Sequence, residues 1–95
     1  MAEPLVLINA FEVSSGQEEV FLSGWASVAE RLKAKEGFVS ADLHRSLDPN
    51  ADFRFINVAI WRSAKEFREA IASLGPDLLP FRAHPALYEV VRSIS

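Results

Sequence analysis

The stretch over residues 53–67 constrains the fold more than any other part of this sequence. Its first part alternates and is rich in aromatic and β-branched residues, which predicts a strand that ends at Trp61 and leads directly into a helix. Its side chains form two sets that point in opposite directions: Phe53, Phe55, Asn57, Ala59 and Trp61, and Arg54, Ile56, Val58 and Ile60. Both sets are largely apolar, so the strand is expected to be covered on both faces. A small domain has few elements for this, and the second face is therefore expected to meet another copy of the chain.

The composition excludes several classes of protein. The 95 residues are enough for one domain, expected over residues 1–95. The net charge of −3, without clustered Lys or Arg, argues against a nucleic-acid partner. The absence of cysteine excludes disulfides, thiolate metal sites and cysteine nucleophiles. No apolar run reaches the ~20 residues that span a bilayer, and the N-terminal pattern is not that of a signal peptide, so a cytoplasmic protein without a membrane partner is expected.

The remaining pattern predicts the element order β-α-β-β-α-β. Besides the strand that ends at Trp61, strands are expected over residues 5–13, 38–47 and 86–94. Two helices are indicated by apolar stripes at helical spacing: Phe21, Trp25, Val28 and Leu32, then Ala64, Phe67, Ile71 and Leu74. A proline-flanked connector over residues 77–85 precedes the last strand.

The helix ends carry recognisable signals. Ser15 with Glu18, and Ser63 with Glu66, have the spacing of capping boxes, in which side chains satisfy the free amides of a first turn. Gly37 fits a left-handed position after the first helix, and the pair at residues 75–76, Gly-Pro, ends the second.

Two β-α-β units joined by a hairpin predict an α+β fold of the ferredoxin-like type. Right-handed crossovers place both helices on one face of an antiparallel sheet and leave the opposite face bare. Each large aliphatic residue exposed there would forgo ~1.5–3 kcal/mol. A homodimer is therefore expected, in which two sheets close into a barrel.

The hairpin sequence Asp-Pro-Asn-Ala at residues 48–51 fits a type I turn. A two-residue loop there would pair Val39 with Ile60, Ala41 with Val58 and Leu43 with Ile56 on one face, and Phe38 with Trp61, Asp42 with Asn57 and His44 with Phe55 on the other. It would also set Arg45 against Arg54, an unfavourable like-charge pair. A slip by one residue would invert these assignments.

Several short segments together resemble one family. They are residues 5–13 followed by Gly16, Trp25, residues 36–39 (Glu-Gly-Phe-Val), residues 60–63 (Ile-Trp-Arg-Ser) with Phe67, and His84 after Phe81-Arg82-Ala83. In these features the chain is similar to the antibiotic biosynthesis monooxygenase family, small dimeric α+β barrels that include cofactor-independent quinone-forming oxygenases and haem-degrading enzymes. The resemblance implies the fold more than the substrate, because one fold hosts many activities.

The resemblance implies different functional residues for the haem-degrading and for the quinone-forming members of the family. Asn9 matches the strand-one asparagine of the haem-degrading members, and His84 looks like their axial ligand. Those members carry a tryptophan in the second helix, near the position where this sequence has Ala70. For the quinone-forming members, Asn9 or Asn57 and Trp61 match the side chains that bind substrate.

The residues themselves leave alternatives open. Asn9 and Asn57 interrupt apolar strands, and each is either a ligand-binding amide or a structural one bonded across the sheet. His84, expected in a loop, is either a general base or a structural contact, and His44 is expected at a surface or interface. Trp25, Trp61, Phe38, Phe67 and Phe81 either line a pocket for a flat ligand or form plain core, and Tyr88 either relays a proton or plugs the barrel. Two distant histidines do not make a metal site.

Three hypotheses follow. The first is a homodimeric monooxygenase without flavin, metal or haem, in which Asn9 and Trp61 bind an aromatic or polyketide-like phenol, His84 takes its proton, and molecular oxygen is the co-substrate. The second is a haem-binding or haem-degrading protein with His84 as the ligand. The third is a non-catalytic dimer that binds a hydrophobic small molecule or serves in a stress response.

Overall fold

A computed structural model describes residues 4–75 and 79–95, and it confirms the predicted element order and fold class. The elements are β1 (Leu5–Glu12), α1 (Glu18–Leu32), β2 (Phe38–Arg45), β3 (Phe55–Trp61), α2 (Ala64–Leu74) and β4 (Arg82–Tyr88). The strands form one antiparallel sheet in the order β2-β3-β1-β4, which is the ferredoxin-like α+β arrangement.

Both helices cover the same face of the sheet. Phe21 of α1 is fully buried against Phe11 and Phe55. Ala70 of α2 packs in a second cluster, whose buried strand residues are Leu7, Ala59 and Trp61. Since these strand residues alternate with less buried ones, they define the helix-covered face of the sheet.

The opposite face has no helix among the described residues. Its centre is a stripe of half-buried aliphatic side chains on β1 and β3, here called the open-face stripe: Val6, Ile8, Ala10, Ile56, Val58 and Ile60. Charged and polar residues of the two outer strands flank the stripe, with Asp42 and His44 on β2 and Arg82 and His84 on β4. The prediction of two unlike faces on β3 is confirmed.

The predicted hairpin register is wrong by one residue over most of its length. Phe38 does pair with Trp61, but the register shifts between Phe38 and Ser40, after which Ala41 pairs with Ala59. The shift moves Asp42 and His44 to the open face, where the predicted register had Val39, Ala41 and Leu43. The predicted turn at residues 48–51 is present, with the amide of residue 51 bonded to the carbonyl of residue 48 at 3.1 Å.

The shift also removes the unfavourable arginine pair. Arg45 lies opposite Phe55 instead of Arg54. Glu18, at the start of α1, accepts from Arg54 Nε at 2.9 Å and lies 3.5 Å from Arg45 Nε. One carboxylate therefore neutralises both guanidinium groups and ties the first helix to the hairpin.

Of the two predicted capping boxes, the serine cap of the second forms, while the Glu66 carboxylate accepts from the Ser63 hydroxyl instead of the Ser63 backbone amide. At α2 the Ser63 hydroxyl accepts from the Glu66 amide at 3.2 Å and donates to the Glu66 carboxylate at 3.0 Å. At α1 the cap is Gln17, without a side-chain bond. The predicted box of Ser15 and Glu18 is absent because the helix begins two residues later than a Ser15 cap requires, and the Glu18 carboxylate bonds to arginine.

The glycine predictions hold in part. Gly37 has φ +93° as predicted, although it lies at the start of β2 and not directly after α1, which ends at residue 32. A side chain there would also strike Glu66, whose Cβ lies 2.5 Å from the position of the added Cβ. Gly75 closes α2 with φ +61°. Pro76 of the predicted helix stop and residues 77–78 of the predicted connector lie outside the described residues.

The last strand lies earlier than predicted. β4 covers Arg82–Tyr88, whereas the sequence favoured residues 86–94, and residues 89–95 form neither helix nor strand. The prediction failed because Pro85 indicated a loop, but β4 is an edge strand, where the missing amide hydrogen of proline is tolerated. His84 therefore lies within a strand and not in a loop.

No helix in the described part of the chain is long and apolar enough to cross a bilayer. The cytoplasmic location stays a prediction.

Candidate functional site

A cavity of about 250 Å³ lies between the helix-covered face and the two helices. Each layer contributes to its wall, and the side chains most relevant to binding are Asn9, Asn57, Trp25, Phe67, Ile71 and Leu79. The wall is otherwise aliphatic and aromatic. Among the described residues that line it, only the two asparagines are polar and none is ionisable.

The two asparagines form a pair at the floor of this cavity. Asn9 on β1 lies directly opposite Asn57 on β3, and both side chains point towards the helices. Cross-strand partners have Cβ atoms about 4.5–5.5 Å apart, so the two amides are neighbours. The sequence singled out both residues, but it did not show that they face each other.

Neither amide oxygen has a hydrogen-bond partner in the described part of the chain. Asn9 Oδ1 and Asn57 Oδ1 are both buried and unpaired, and Asn57 as a whole is only 9% exposed. An unpaired buried acceptor costs roughly 1–3 kcal/mol. If the asparagines were purely structural and bonded across the sheet, each oxygen would accept a hydrogen bond from another residue. No such donor is found among the described residues. A ligand carrying a hydroxyl group would supply the missing donor.

Aromatic side chains form much of the remaining wall. Trp25 from α1 and Phe67 from α2 line the main cavity. Trp61 is 1% exposed and lines a smaller cavity of about 40 Å³, which shares Asn57, Trp25 and Phe67 with the main one. The rings of Trp61 and Phe67 meet edge to face, with centroids 5.5 Å apart.

Phe38 and Phe81 lie further from the amide pair. Phe38 lines the smaller cavity and packs edge to face on Trp61, at 5.4 Å between centroids. Phe81 packs edge to face on Phe21 at 5.3 Å, in the aromatic core beside the cavity. Two flat walls and a polar floor suit a planar ligand held by its edge.

The two histidines lie on the opposite side of the sheet. His84 pairs with Ala10, and its neighbour Pro85 pairs with Asn9. Because successive side chains of a strand point to opposite faces, His84 points away from the cavity that Asn9 enters. The expected convergence of Asn9 and His84 is not found within one chain. His44 also lies on the open face, as expected for a surface residue.

His84 instead belongs to a polar cluster at the corner of the open face. Its Nε2 lies 2.7 Å from the Glu12 carboxylate, and its ring meets Phe53 edge to face at 5.1 Å. Both partners of the pair are 44% exposed, and Arg82 lies 3.6 Å from the same carboxylate. Tyr88 also faces this side and is half exposed. No group of three or more acidic or histidine side chains in the described ranges is arranged to hold a metal.

The geometry also bears on haem. The chain has two histidines, and neither reaches the cavity, so no imidazole is available there as an axial ligand. Ala70, which stands near the position of the haem-degraders' tryptophan, is 4% exposed and part of the apolar core. A cavity of about 250 Å³ is also small for a porphyrin, since a 150 Å³ cavity is filled by one benzene. The residues present do not fit haem.

A four-stranded antiparallel sheet with two helices on one face, and an apolar cavity with two amides between sheet and helices, define a small α+β protein of the ferredoxin-like type. The sequence model of the family described as "Antibiotic biosynthesis monooxygenase" matches residues 4–74. The chain belongs to this family.

Individual relatives share the whole fold. The chain is 34% identical over 79 residues to deoxynogalonate monooxygenase of Streptomyces nogalater, which covers 83% of this chain and 63% of that relative's length. It resembles the crystal structure of SnoaB, a cofactor-independent oxygenase from Streptomyces nogalater, with 26% identity, 98% of each chain covered and a TM-score of 0.78. A heme-degrading protein from Mycobacterium tuberculosis matches with 27% identity, 100% of this chain and 99% of its own covered, and a TM-score of 0.74.

The sequence analysis did not predict two features of the structure. Leu79 lines the cavity from the connector before β4, where no periodic pattern marked it. The pair of Glu12 and His84 joins residues 72 positions apart. The signal that could have found the pair is strand alternation, which puts Glu12 on the face opposite to Asn9, but this needs the correct bounds of β4.

Proposed function

We propose that this protein is a cofactor-independent monooxygenase that oxidises a phenolic aromatic molecule to a quinone. The observation that carries the proposal is the pair of amide oxygens of Asn9 and Asn57 that have no partner among the described residues and lie in a largely apolar, aromatic-walled cavity. The similarity to a cofactor-independent oxygenase and to deoxynogalonate monooxygenase supports the same class of reaction.

The reaction needs only substrate and molecular oxygen. A phenol with an unsubstituted para carbon gives up its hydroxyl proton, and the electron-rich phenolate transfers an electron to oxygen. A new carbon–oxygen bond then forms at the para carbon, and that carbon loses its hydrogen. One oxygen atom stays in the quinone and the other leaves as water, so the substrate supplies both reducing electrons.

The asparagines provide the binding and the electrostatics. An amide can turn either its oxygen or its NH₂ group towards the ligand, so the pair can accept from the phenol and donate to the phenolate that forms. Donors fixed before the reaction stabilise developing negative charge, most strongly where water is absent. Trp25, Phe67 and, through the smaller cavity, Trp61 would hold the ring and exclude water from the reactive intermediate.

His84 has no part in this proposal, because it lies on the opposite face from the cavity. The phenol proton leaves instead to water at the cavity opening. The ionisation is then set by the substrate and by the amide donors that stabilise the phenolate.

The homodimer belongs to the same proposal. The six aliphatic side chains of the open-face stripe are only half covered in one chain. Packing two such faces together would remove them from water, at ~25 cal/mol per Å² of apolar area. The flanking polar residues of β2 and β4 would then form the rim of the interface.

The test is aerobic and anaerobic incubation with 1,5-dihydroxynaphthalene. We expect one quinone per oxygen consumed in air and no product without oxygen, and a loss of about 10²-fold or more in kcat for Asn9→Ala and Asn57→Ala. Asn50→Ala is the matched control, because Asn50 is exposed in the hairpin loop. Equal product with and without oxygen, or full activity of both cavity variants, would refute the proposal.

A second candidate is a binding protein without turnover. It is favoured by the lack of ionisable side chains among the described residues of the cavity wall. It predicts that 1,5-dihydroxynaphthalene quenches tryptophan fluorescence, that Asn57→Ala weakens this binding, and that no oxygen is consumed.

A further inference from the structure

The size of the cavity limits what it can hold. An apolar protein cavity of about 150 Å³ holds one benzene molecule. A second fused ring shares two of its six carbons, so it needs about two-thirds of that volume again, or ~100 Å³. The cavity of about 250 Å³ therefore matches two fused rings, and a third ring would need ~350 Å³.

One residue stands out in the wall that sets this size. Leu79 lines the cavity and packs against the aromatic cluster of Phe11, Phe21 and Phe55. It fills the space between α1 and the sheet on that side. Without its branched end, the cavity would extend towards the aromatic cluster.

Leu79 occupies its place because α1 has a glycine beside it. A Cβ atom added at Gly24 would lie 2.7 Å from Cδ2 of Leu79, closer than real Cβ contacts come. Gly24 is inside a helix, where glycine is normally unfavourable compared with alanine. The close approach of Leu79 explains why this position has no side chain.

We propose that Leu79, seated against Gly24, restricts the ligand of this cavity to two fused aromatic rings. The inference rests on the proposed function for the phenolic nature of the ligand, but the size limit follows from the cavity itself. Polycyclic ligands with three or more rings are excluded until Leu79 is shortened.

Two variants change the cavity in opposite directions. Leu79→Ala removes the branched end and enlarges the cavity. Gly24→Ala places a methyl group 2.7 Å from the present position of Leu79 Cδ2, which is too close. Because this end of the side chain is flexible, we expect it to turn away from α1 and to take up cavity space. Leu79→Val is a milder enlargement that keeps the test valid if the alanine variant does not fold. Leu47→Ala is the matched control, because Leu47 is 99% exposed.

The ligands are phenol, 1,5-dihydroxynaphthalene and 1,5-dihydroxyanthracene, and anaerobic quenching of tryptophan fluorescence measures their binding without turnover. We expect the wild-type protein and Leu47→Ala to bind the two-ring compound at least tenfold more tightly than the three-ring compound. Leu79→Ala, or Leu79→Val to a smaller degree, should remove that preference. Gly24→Ala should weaken two-ring binding at least tenfold and leave phenol binding within threefold.

The outcomes separate the size limit from the catalytic proposal. Equal binding of two-ring and three-ring compounds by the wild-type protein, or no change of preference in the Leu79 variants, overturns the size limit even if oxygen is consumed. The expected preferences without oxygen uptake in air support the size limit and refute the monooxygenase. The expected preferences with oxygen uptake confined to the two-ring compound support both.

Discussion

Replacing Asn57 by leucine should stabilise the protein and abolish its activity. Asn57 is 9% exposed and its buried Oδ1 has no partner among the described residues, so the folded state carries the cost of one unsatisfied acceptor. That cost is about 1–3 kcal/mol, and an apolar side chain of similar size removes it. The adjoining cavity leaves room for the leucine methyl groups, so overpacking does not offset the gain. We expect the free energy of unfolding to rise by about 1–3 kcal/mol.

Urea unfolding followed by tryptophan fluorescence measures this change, and all variants should be compared at one protein concentration because assembly contributes to stability. In a domain of this size the gain corresponds to a rise in Tm of about 4–8 °C per kcal/mol. Asn50→Leu, in the exposed hairpin loop, should stay within about 0.5 kcal/mol of the wild type. A loss of 1 kcal/mol or more in Asn57→Leu would show that the amide is a satisfied structural group, and the argument for the site would fail.

Three further predictions follow from other parts of the molecule. In a titration with hemin, any Soret shift should be the same in the wild-type protein and in His84→Ala, because His84 points away from the cavity. A shift that depends on His84 would restore the haem hypothesis. Val58→Lys in the open-face stripe should convert the proposed dimer to monomer in sedimentation, whereas Val20→Lys, at an exposed position of α1, should not; a dimer that survives the first change would refute assembly through the open face. Ser63→Ala should destabilise the protein by about 1 kcal/mol and Ser15→Ala should have little effect, since only the first hydroxyl caps a helix; equal effects in urea unfolding would contradict this.

The two capping boxes show what the sequence can and cannot predict. Ser15 with Glu18, and Ser63 with Glu66, have the same spacing, yet only Ser63 caps its helix and bonds to its glutamate. α1 begins at Glu18 with Gln17 as its cap, so Ser15 lies before the cap position, and the Glu18 carboxylate accepts from Arg54, which lies 36 residues away along the chain. A local pattern predicts the helix correctly in both cases, but a partner distant in sequence decides the fate of the side chain.

The strand predictions also succeeded where they depended on neighbouring residues and failed where they depended on distant ones. Alternation in β3 correctly separated the residues of its two faces, because period-two patterning depends on neighbouring positions alone. The pairing of β2 with β3 was wrong after Phe38, since the irregularity before Ser40 is not marked by glycine or proline. The bounds of β4 were wrong because Pro85 was taken as a loop signal, and this error placed His84 in a loop instead of a strand.

The sequence predicted which residues belong to the candidate site better than it predicted how they are arranged. Polar residues in apolar strands drew attention to Asn9 and Asn57, and helical stripes to Trp25 and Phe67. That the two amides face each other depends on the pairing of β1 with β3, which joins residues 48 positions apart. Whether they have partners depends on packing in three dimensions, which a sequence pattern does not report.

The pH dependence of the reaction distinguishes an amide site from a histidine site. Since no described residue of the cavity wall is ionisable, the only titrating group of the chemical step is the phenol of the substrate. The profile of kcat/KM against pH should therefore show one rising limb, and its midpoint should move with the acidity of the phenol when ring substituents are changed. His84→Gln should leave the profile unchanged, because His84 bonds to Glu12 on the other face. A midpoint that is the same for every phenol and disappears in His84→Gln would show that the imidazole is the base, and the assignment of the site to the helix-covered face would have to be abandoned.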